Sequence, residues 1–201
     1  MATTQKKSPI RGNTDVEYTL AIKQNNPRRI QTLIKHKIKP PKGSLIYAYD
    51  LGYKELLPLL LDAGASPNDV NYKDWPIMGD CILDTEVSVL KLLLARGANP
   101  NHRPGLIVLA ARVGNIEVFR LLVESGANLF QDARLAPTAL FEAIARGHFE
   151  IVHYLVEQGV SCKTKKPLGK SAVEWAAEHG TPEMQDLIRR LKNSSKQTKT
   201  N

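Results

Sequence analysis

The chain has 201 residues, 42% of them hydrophobic and 24% charged, a balance that excludes a disordered polypeptide and fits a soluble folded one. Its longest apolar runs, such as LLPLLL at 56–61, fall far short of the roughly 18 to 20 residues that span a bilayer, and MATTQKKSPIRG has no apolar signal core behind its lysines. No transmembrane segment, no cleaved N-terminal signal and a cytoplasmic location, with the nucleus as a second compartment, are therefore expected. The net charge of +8 is segregated: residues 1–42 hold ten Lys/Arg against two acids, 43–162 nine against fourteen, and 163–201 nine against four.

Residues 1–14 are polar, basic and without periodicity, and are expected to be a disordered tail. From residue 15 a period sets in. LLLDAGASPN at 59–68 and LLLARGANPN at 92–101 lie 33 residues apart and share Leu-Leu-Leu, Gly-Ala and Pro-Asn. Twelve residues before the helix-ending Gly64, Gly97, Gly126 and Gly159 stand the turn positions Gly52, Thr85, Gly114 and Gly147, and with the first and last repeats the markers in chain order are Asn25, Gly52, Thr85, Gly114, Gly147 and Gly180, spaced 27, 33, 29, 33 and 33. Seven before each marker stand Tyr18, Leu45, Met78, Ile107, Leu140 and Val173, all apolar. Four before stand Ala21, Ala48, Cys81, Ala110, Ala143 and Ala176, all small, and eight after stand Leu33, Leu60, Leu93, Leu122, Leu155 and Ile188.

These columns predict a short first helix before each marker and a second helix after it, each with one apolar face. A single pair buries only half its surface. Stacking neighbouring pairs buries the rest, and the small residue lets helices approach closely. Pro27 and Pro182, two after their markers, suit the first turn of a second helix. Pro58 lies deeper and predicts a kink or a late start. In the first repeat Arg29, and in the last Gln185 and Arg189, take slots that are apolar inside the array, as expected of caps with one face in water. The repeats run to about residue 192, and 193–201 are expected to be a second disordered tail.

LIVLAARVGNIEVFRLLVESGANL at 106–129 and TALFEAIARGHFEIVHYLVEQGV at 138–160, with the Gly-Ala ends at Gly64, Gly97 and Gly126 and Val160 after Gly159, resemble the helix-turn-helix unit of ankyrin repeats. The resemblance implies an all-α ankyrin solenoid of about six repeats with short hairpin-like connectors, and a non-catalytic protein-binding role. The family's Thr-Pro-Leu-His opening is nowhere intact: Thr138 with Leu140 and Ser171 with Val173 are its nearest relics. The short periods fall in the connectors 38–43 and 99–105, which are expected to lack full fingers, and 66–75, 128–137 and 161–170 are the expected projecting loops.

Catalysis finds no support. There is no GxSxG, phosphate-cradling glycine loop or HExxH, and His36, His102, His148, His153 and His179 take polar slots or connectors, so no enzyme, cofactor or metal is expected. Cys81 and Cys162 lack metal-ligand spacing and read as free thiols of a reducing compartment.

Two surfaces can hold a partner. Positions five, two and one before the marker point away from the core in this repeat type, and in the middle repeats they hold Tyr47, Asp50 and Leu51, then Asp80, Leu83 and Asp84, then Leu109, Arg112 and Val113, with Trp75 expected at a connector tip. Apolar residues flanked by acids predict a concave groove for a protein offering an apolar anchor among basic residues. The competing reading shifts the register by one and makes them core. The second surface is the cationic first repeat, Lys23, Arg28, Arg29, Lys35, Lys37, Lys39 and Lys42, which would take an acidic ligand, nucleic acid or a phosphorylated membrane surface, or serve as a solvated cap.

Overall fold

The computed structural model describes residues 14–129, 139–162 and 169–197. Among these the chain forms twelve α-helices in sequential pairs: α1 Thr14–Lys23 with α2 Pro27–Lys35, α3 Ser44–Asp50 with α4 Leu57–Asp62, α5 Ile77–Leu83 with α6 Val87–Ala95, α7 Leu106–Val113 with α8 Ile116–Glu124, α9 Ala139–Arg146 with α10 Phe149–Glu157, and α11 Ala172–His179 with α12 Pro182–Gln197. They divide into two compact units, one reaching to Met78 together with Leu92–Ala98, the other Gly79–Lys91 together with the residues from Asn99 on. In the first unit α1 packs on α3 and α2 on α4. In the second, α7, α9 and α11 stack in one row and α8, α10 and α12 in another.

The three columns explain why these pairs form. The small residues four before the markers and the residues eight after are all buried, as are the apolar residues seven before, except Val173 in the last pair, which is half-buried. At roughly 25 cal/mol per Å2 of apolar surface removed from water, these columns are where the stacking energy resides.

The turns follow from backbone geometry. Five of the six markers have positive φ, from 46° at Asn25 to 89° at Gly114, and Thr85 holds φ 55° despite its branched Cβ. Gly180 differs: its φ is −90°, yet a Cβ there would lie 2.8 Å from the Ala176 carbonyl oxygen, so glycine is required by close approach. The second helices close in a repeated way. The amide of Ala65 donates to Leu60 O at 2.9 Å, Ala98 to Leu93 O at 3.0 Å, Ala127 to Leu122 O at 2.9 Å and Val160 to Leu155 O at 3.0 Å, each across a left-handed glycine. In the first repeat Lys37, with φ 56°, takes the glycine's place and Ile38 N donates to Leu33 O at 3.1 Å.

Pro58 has the expected consequence. Residues Lys54–Leu56 make a 3-10 turn and α4 starts only at Leu57, with Pro58 in its first turn where no intrahelical amide is needed. Arg29 is half-buried and donates to Glu17 through Nε at 3.1 Å and Nη2 at 2.5 Å, so the cap's polar slot is an ion pair within the first repeat. In the last repeat Arg189 is exposed and Gln185 donates to Gly180 O at 3.2 Å. Helix α12 continues to Gln197, past the boundary near 192 given by the repeat pattern.

Connector 66–75 is a finger, closed by an antiparallel bridge between Val70 and Pro76. Connectors 38–43 and 99–105 have no such bridge. In the second of these, Asn101 ties the chain down instead, donating to Gly126 O and accepting from Asn128 N, both at 2.8 Å. Thr138, most of the loop 128–137 and residues 163–168 of the basic loop lie outside the described residues, as do the tails 1–13 and 198–201.

Candidate protein-binding surface

The positions read as pointing away from the core do so. Of Tyr47, Asp50, Leu51, Trp75, Asp80, Leu83, Asp84, Leu109, Arg112 and Val113, none is buried. Leu51 is 39% exposed and Leu83 50%. The register of the first helices is therefore the one read from the markers, and the core alternative is overturned.

In the first unit, α3 and the finger enclose a groove of 390 Å3 whose lining includes Tyr47 and Asp50 together with Ile46, Val70 and Tyr72. The finger is held by its own polar groups: Asn71 N donates to Trp75 O at 2.9 Å, and Asn71 Oδ1 accepts from the amides of Lys73 at 2.9 Å and Trp75 at 3.1 Å. Asp74 supplies the left-handed residue of the turn, with φ 55°. This geometry corrects the expectation for Trp75. It sits on the returning arm, half-buried, and the aromatic carried out on the turn is Tyr72, 90% exposed with Lys73 Nζ 5.3 Å from its ring centroid. Tyr72 was missed because a connector has no period. The Asn-Tyr-Lys-Asp run was the available signal, an aromatic inside a turn sequence.

Asp69, at the base of the finger, is 3% exposed and was also missed. Its Oδ1 accepts from Gly43 N at 2.8 Å and its Oδ2 from Leu45 N at 2.9 Å, so both oxygens cap the start of α3, whose own N-cap, Gly43, has no side chain to offer. Its backbone oxygen accepts from Ile77 N at 3.0 Å. The groove's two walls are thus bonded through one buried carboxylate.

In the second unit Asp84 and Arg112 are exposed and Asp80, Leu109 and Val113 half-buried. Arg112 donates to both oxygens of Glu142 at 3.3 Å, which partly commits its charge. The carbonyl of Arg112 meets His148 Nε2 at 3.1 Å, so His148 serves the end of α7. In the last repeat, at the position that Tyr47 holds in the second, Trp175 donates from Nε1 to Phe141 O at 3.0 Å and stacks on His179 at 3.9 Å, an aromatic on the first-helix row that the sequence reading left aside.

Of the basic set, Lys23, Arg28, Lys35, Lys37, Lys39 and Lys42 are exposed; Arg29 is engaged with Glu17, and Lys42 lies 3.8 Å from Asp74. Cys81 and Cys162 are both buried. Among the described residues no helix is long and apolar enough to cross a membrane.

Paired helices stacked within each unit first on first and second on second, with turns that recur every 27 to 33 residues and are left-handed in five cases of six, define a helical repeat protein. Residues 106–200 match the family model for ankyrin repeats in three copies, and the same columns continue through residues 15–105; the chain is an ankyrin-repeat protein. It is 31% identical over 166 residues to the ankyrin repeat and KH domain-containing protein mask-1 of Caenorhabditis elegans, which covers 79% of this chain and 6% of that one. It is 28% identical over 157 residues to the glycerophosphocholine phosphodiesterase gde1 of Schizosaccharomyces pombe, over 72% of this chain and 14% of that one. A putative ankyrin repeat-containing protein of Treponema pallidum is 25% identical over 179 residues, 86% of this chain and 60% of the relative. The chain thus matches less than two thirds of the length of each of these relatives. Ankyrin repeats are in general protein-protein interaction modules.

Proposed function

We propose that the chain is a non-catalytic binding module, of adaptor, inhibitor or effector type, working in the cytoplasm or nucleus and holding a partner protein on the first-helix face of its second repeat and the adjoining finger. The observation that carries this reading is the groove of 390 Å3 between α3 and residues 70–74, in which Tyr47 and the projecting Tyr72 stand with Asp50. Aromatic residues anchor interfaces because they bury a large area at small entropic cost, and a neighbouring carboxylate steers a basic partner. The third repeat offers a further set at the same repeat positions, exposed Leu83 and Asp84 with half-buried Asp80, for the same chemistry. The partner is accordingly a protein with an apolar anchor flanked by Lys or Arg.

Affinity capture with mass spectrometry tests this, using Tyr47→Ala with Tyr72→Ala as the control bait, followed by binding kinetics for each captured protein. Each tyrosine substitution is expected to weaken binding by about 2 kcal/mol, with little change between low and moderate salt. A partner that survives both substitutions, is lost on Arg28→Glu with Lys35→Glu and falls away steeply with salt would replace this reading with the acidic-ligand one.

A further inference from the structure

The second helices of the second unit carry a larger groove, of 660 Å3, on the row formed by α8, α10 and α12. Its apolar wall is Ile116, Phe149, Tyr154 and Leu187, and Phe149, the first residue of α10, is 40% exposed. A phenylalanine that leaves 40% of its surface in water at the first turn of a helix adds little to that helix, where its propensity is poor. Tyr154 is held in place from both sides, its ring edge-on to Phe119 at 6.1 Å and Arg120 4.9 Å over its face. The wall is preorganised.

The charge around this wall is unbalanced. Three carboxylates, Glu117, Glu150 and Glu157, line the groove with one guanidinium, Arg120, and His153. Glu117 meets Lys91 at 3.0 Å and Glu157 meets His153 at 3.0 Å, both pairs being more than half exposed, where such contacts are worth little and yield readily to a competing cation. Glu150 has no ion-pair partner among the described residues. The period accounts for the arrangement, since Glu117 and Glu150 occupy the same position three after their markers, one on each of two stacked helices. The first repeat has Arg28 at that position.

We infer that this groove is a second docking surface, separate from the α3 face, and that its occupant is a basic peptide segment of another protein, placing an aromatic or long aliphatic side chain against Phe149 and Tyr154 and Lys or Arg beside Glu150 and Glu157. The inference does not depend on the use of the α3 groove. Charge complementarity selects the occupant: an acidic segment would meet three carboxylates, and an uncharged one would leave Glu150 to be partly desolvated without a partner.

The test is a selection of displayed random peptides of about four helical turns, roughly 15 residues, against the full chain, followed by affinity measurements on the enriched sequences. Enriched peptides are expected to flank an aromatic or aliphatic residue with Lys or Arg. Phe149→Ala and Glu150→Lys should each weaken their binding about tenfold, a change of about 1.4 kcal/mol, and Tyr47→Ala and Tyr72→Ala should leave it unchanged. Both groove substitutions are at exposed first-turn positions, and matching helical circular dichroism confirms folding. Should Phe149→Ala fail to fold, Glu150→Lys decides alone. Enrichment of acidic or uncharged peptides, no enrichment, or binding indifferent to both groove substitutions overturns the inference; sensitivity to the tyrosine substitutions instead moves the site to the α3 groove and leaves that proposal standing.

Discussion

Helices α3 and α11 face the same problem at their starts and solve it in opposite ways. The first amides of any helix lack intrahelical partners. At α11 the solution is local: Ser171 Oγ accepts from Glu174 N at 3.3 Å and the Glu174 carboxylate accepts from Ser171 N at 2.6 Å, a reciprocal box inside four residues. At α3 the preceding residue is Gly43, with φ 87° and no side chain, and the acceptors arrive from Asp69, 24 and 26 residues further on. The local cap can be exchanged for water at modest cost. The distant one is buried and joins a helix to a finger, so its loss changes the shape of a surface as well as the stability of a helix.

Breaking the distant cap should have the largest effect. Asp69→Ala leaves two amides unmet in a buried place and is expected to cost about 3 kcal/mol, read as a lowered urea midpoint. Asp69→Asn keeps one acceptor and turns an NH2 group toward the other amide, so it should recover less than half. Next come two glycines that divide local from distant effects in the same way. At Gly114 (φ 89°) a Cβ would sit 2.1 Å from the His148 ring, so Gly114→Ala adds the displacement of His148 from the Arg112 carbonyl to backbone strain, about 2 kcal/mol in all. At Gly126 (φ 90°) a Cβ meets nothing within 4 Å, and Gly126→Ala should cost about 1 kcal/mol, from strain alone. Equal melting shifts for the two would remove His148 from the account. Ser171→Ala, which breaks only the local box, should cost about 1 kcal/mol or less. Smallest of all is Tyr72→Ala, whose side chain lies in water: the melting temperature should stay within error while partner binding drops.

The columns were legible because helical periodicity repeats: six copies of Ala or Cys four before a turn, and of Leu or Ile eight after, leave one register only. Thr85 could be placed although it is neither glycine nor asparagine, because Gly97 fixes it from twelve residues downstream. The same periodicity placed Tyr47, Asp50, Leu83 and Arg112 outside the core. What the pattern missed has no period. Tyr72 reaches into water because Asn71 folds the chain around it, and Asp69 caps a helix whose start lies 24 to 26 residues before it. The pairing of Arg112 with Glu142 and the exposure of Phe149 depend on which side chains meet across stacked helices, which a single column does not show.

The Asp69 cap also displaces the boundary of the folding unit from that of the sequence repeat. A fragment ended at Ala65 would contain both helices of the second repeat and the closing turn of α4, yet it would lack the carboxylate that completes α3. A segment that keeps this carboxylate together with the finger's own closing bond runs on to Ile77, whose amide donates to the Asp69 backbone oxygen. Amides at the start of α3 should therefore exchange with solvent as a set with those of the finger, as one cooperative piece, and a shortened version of this protein is best cut after a finger, not after a helix.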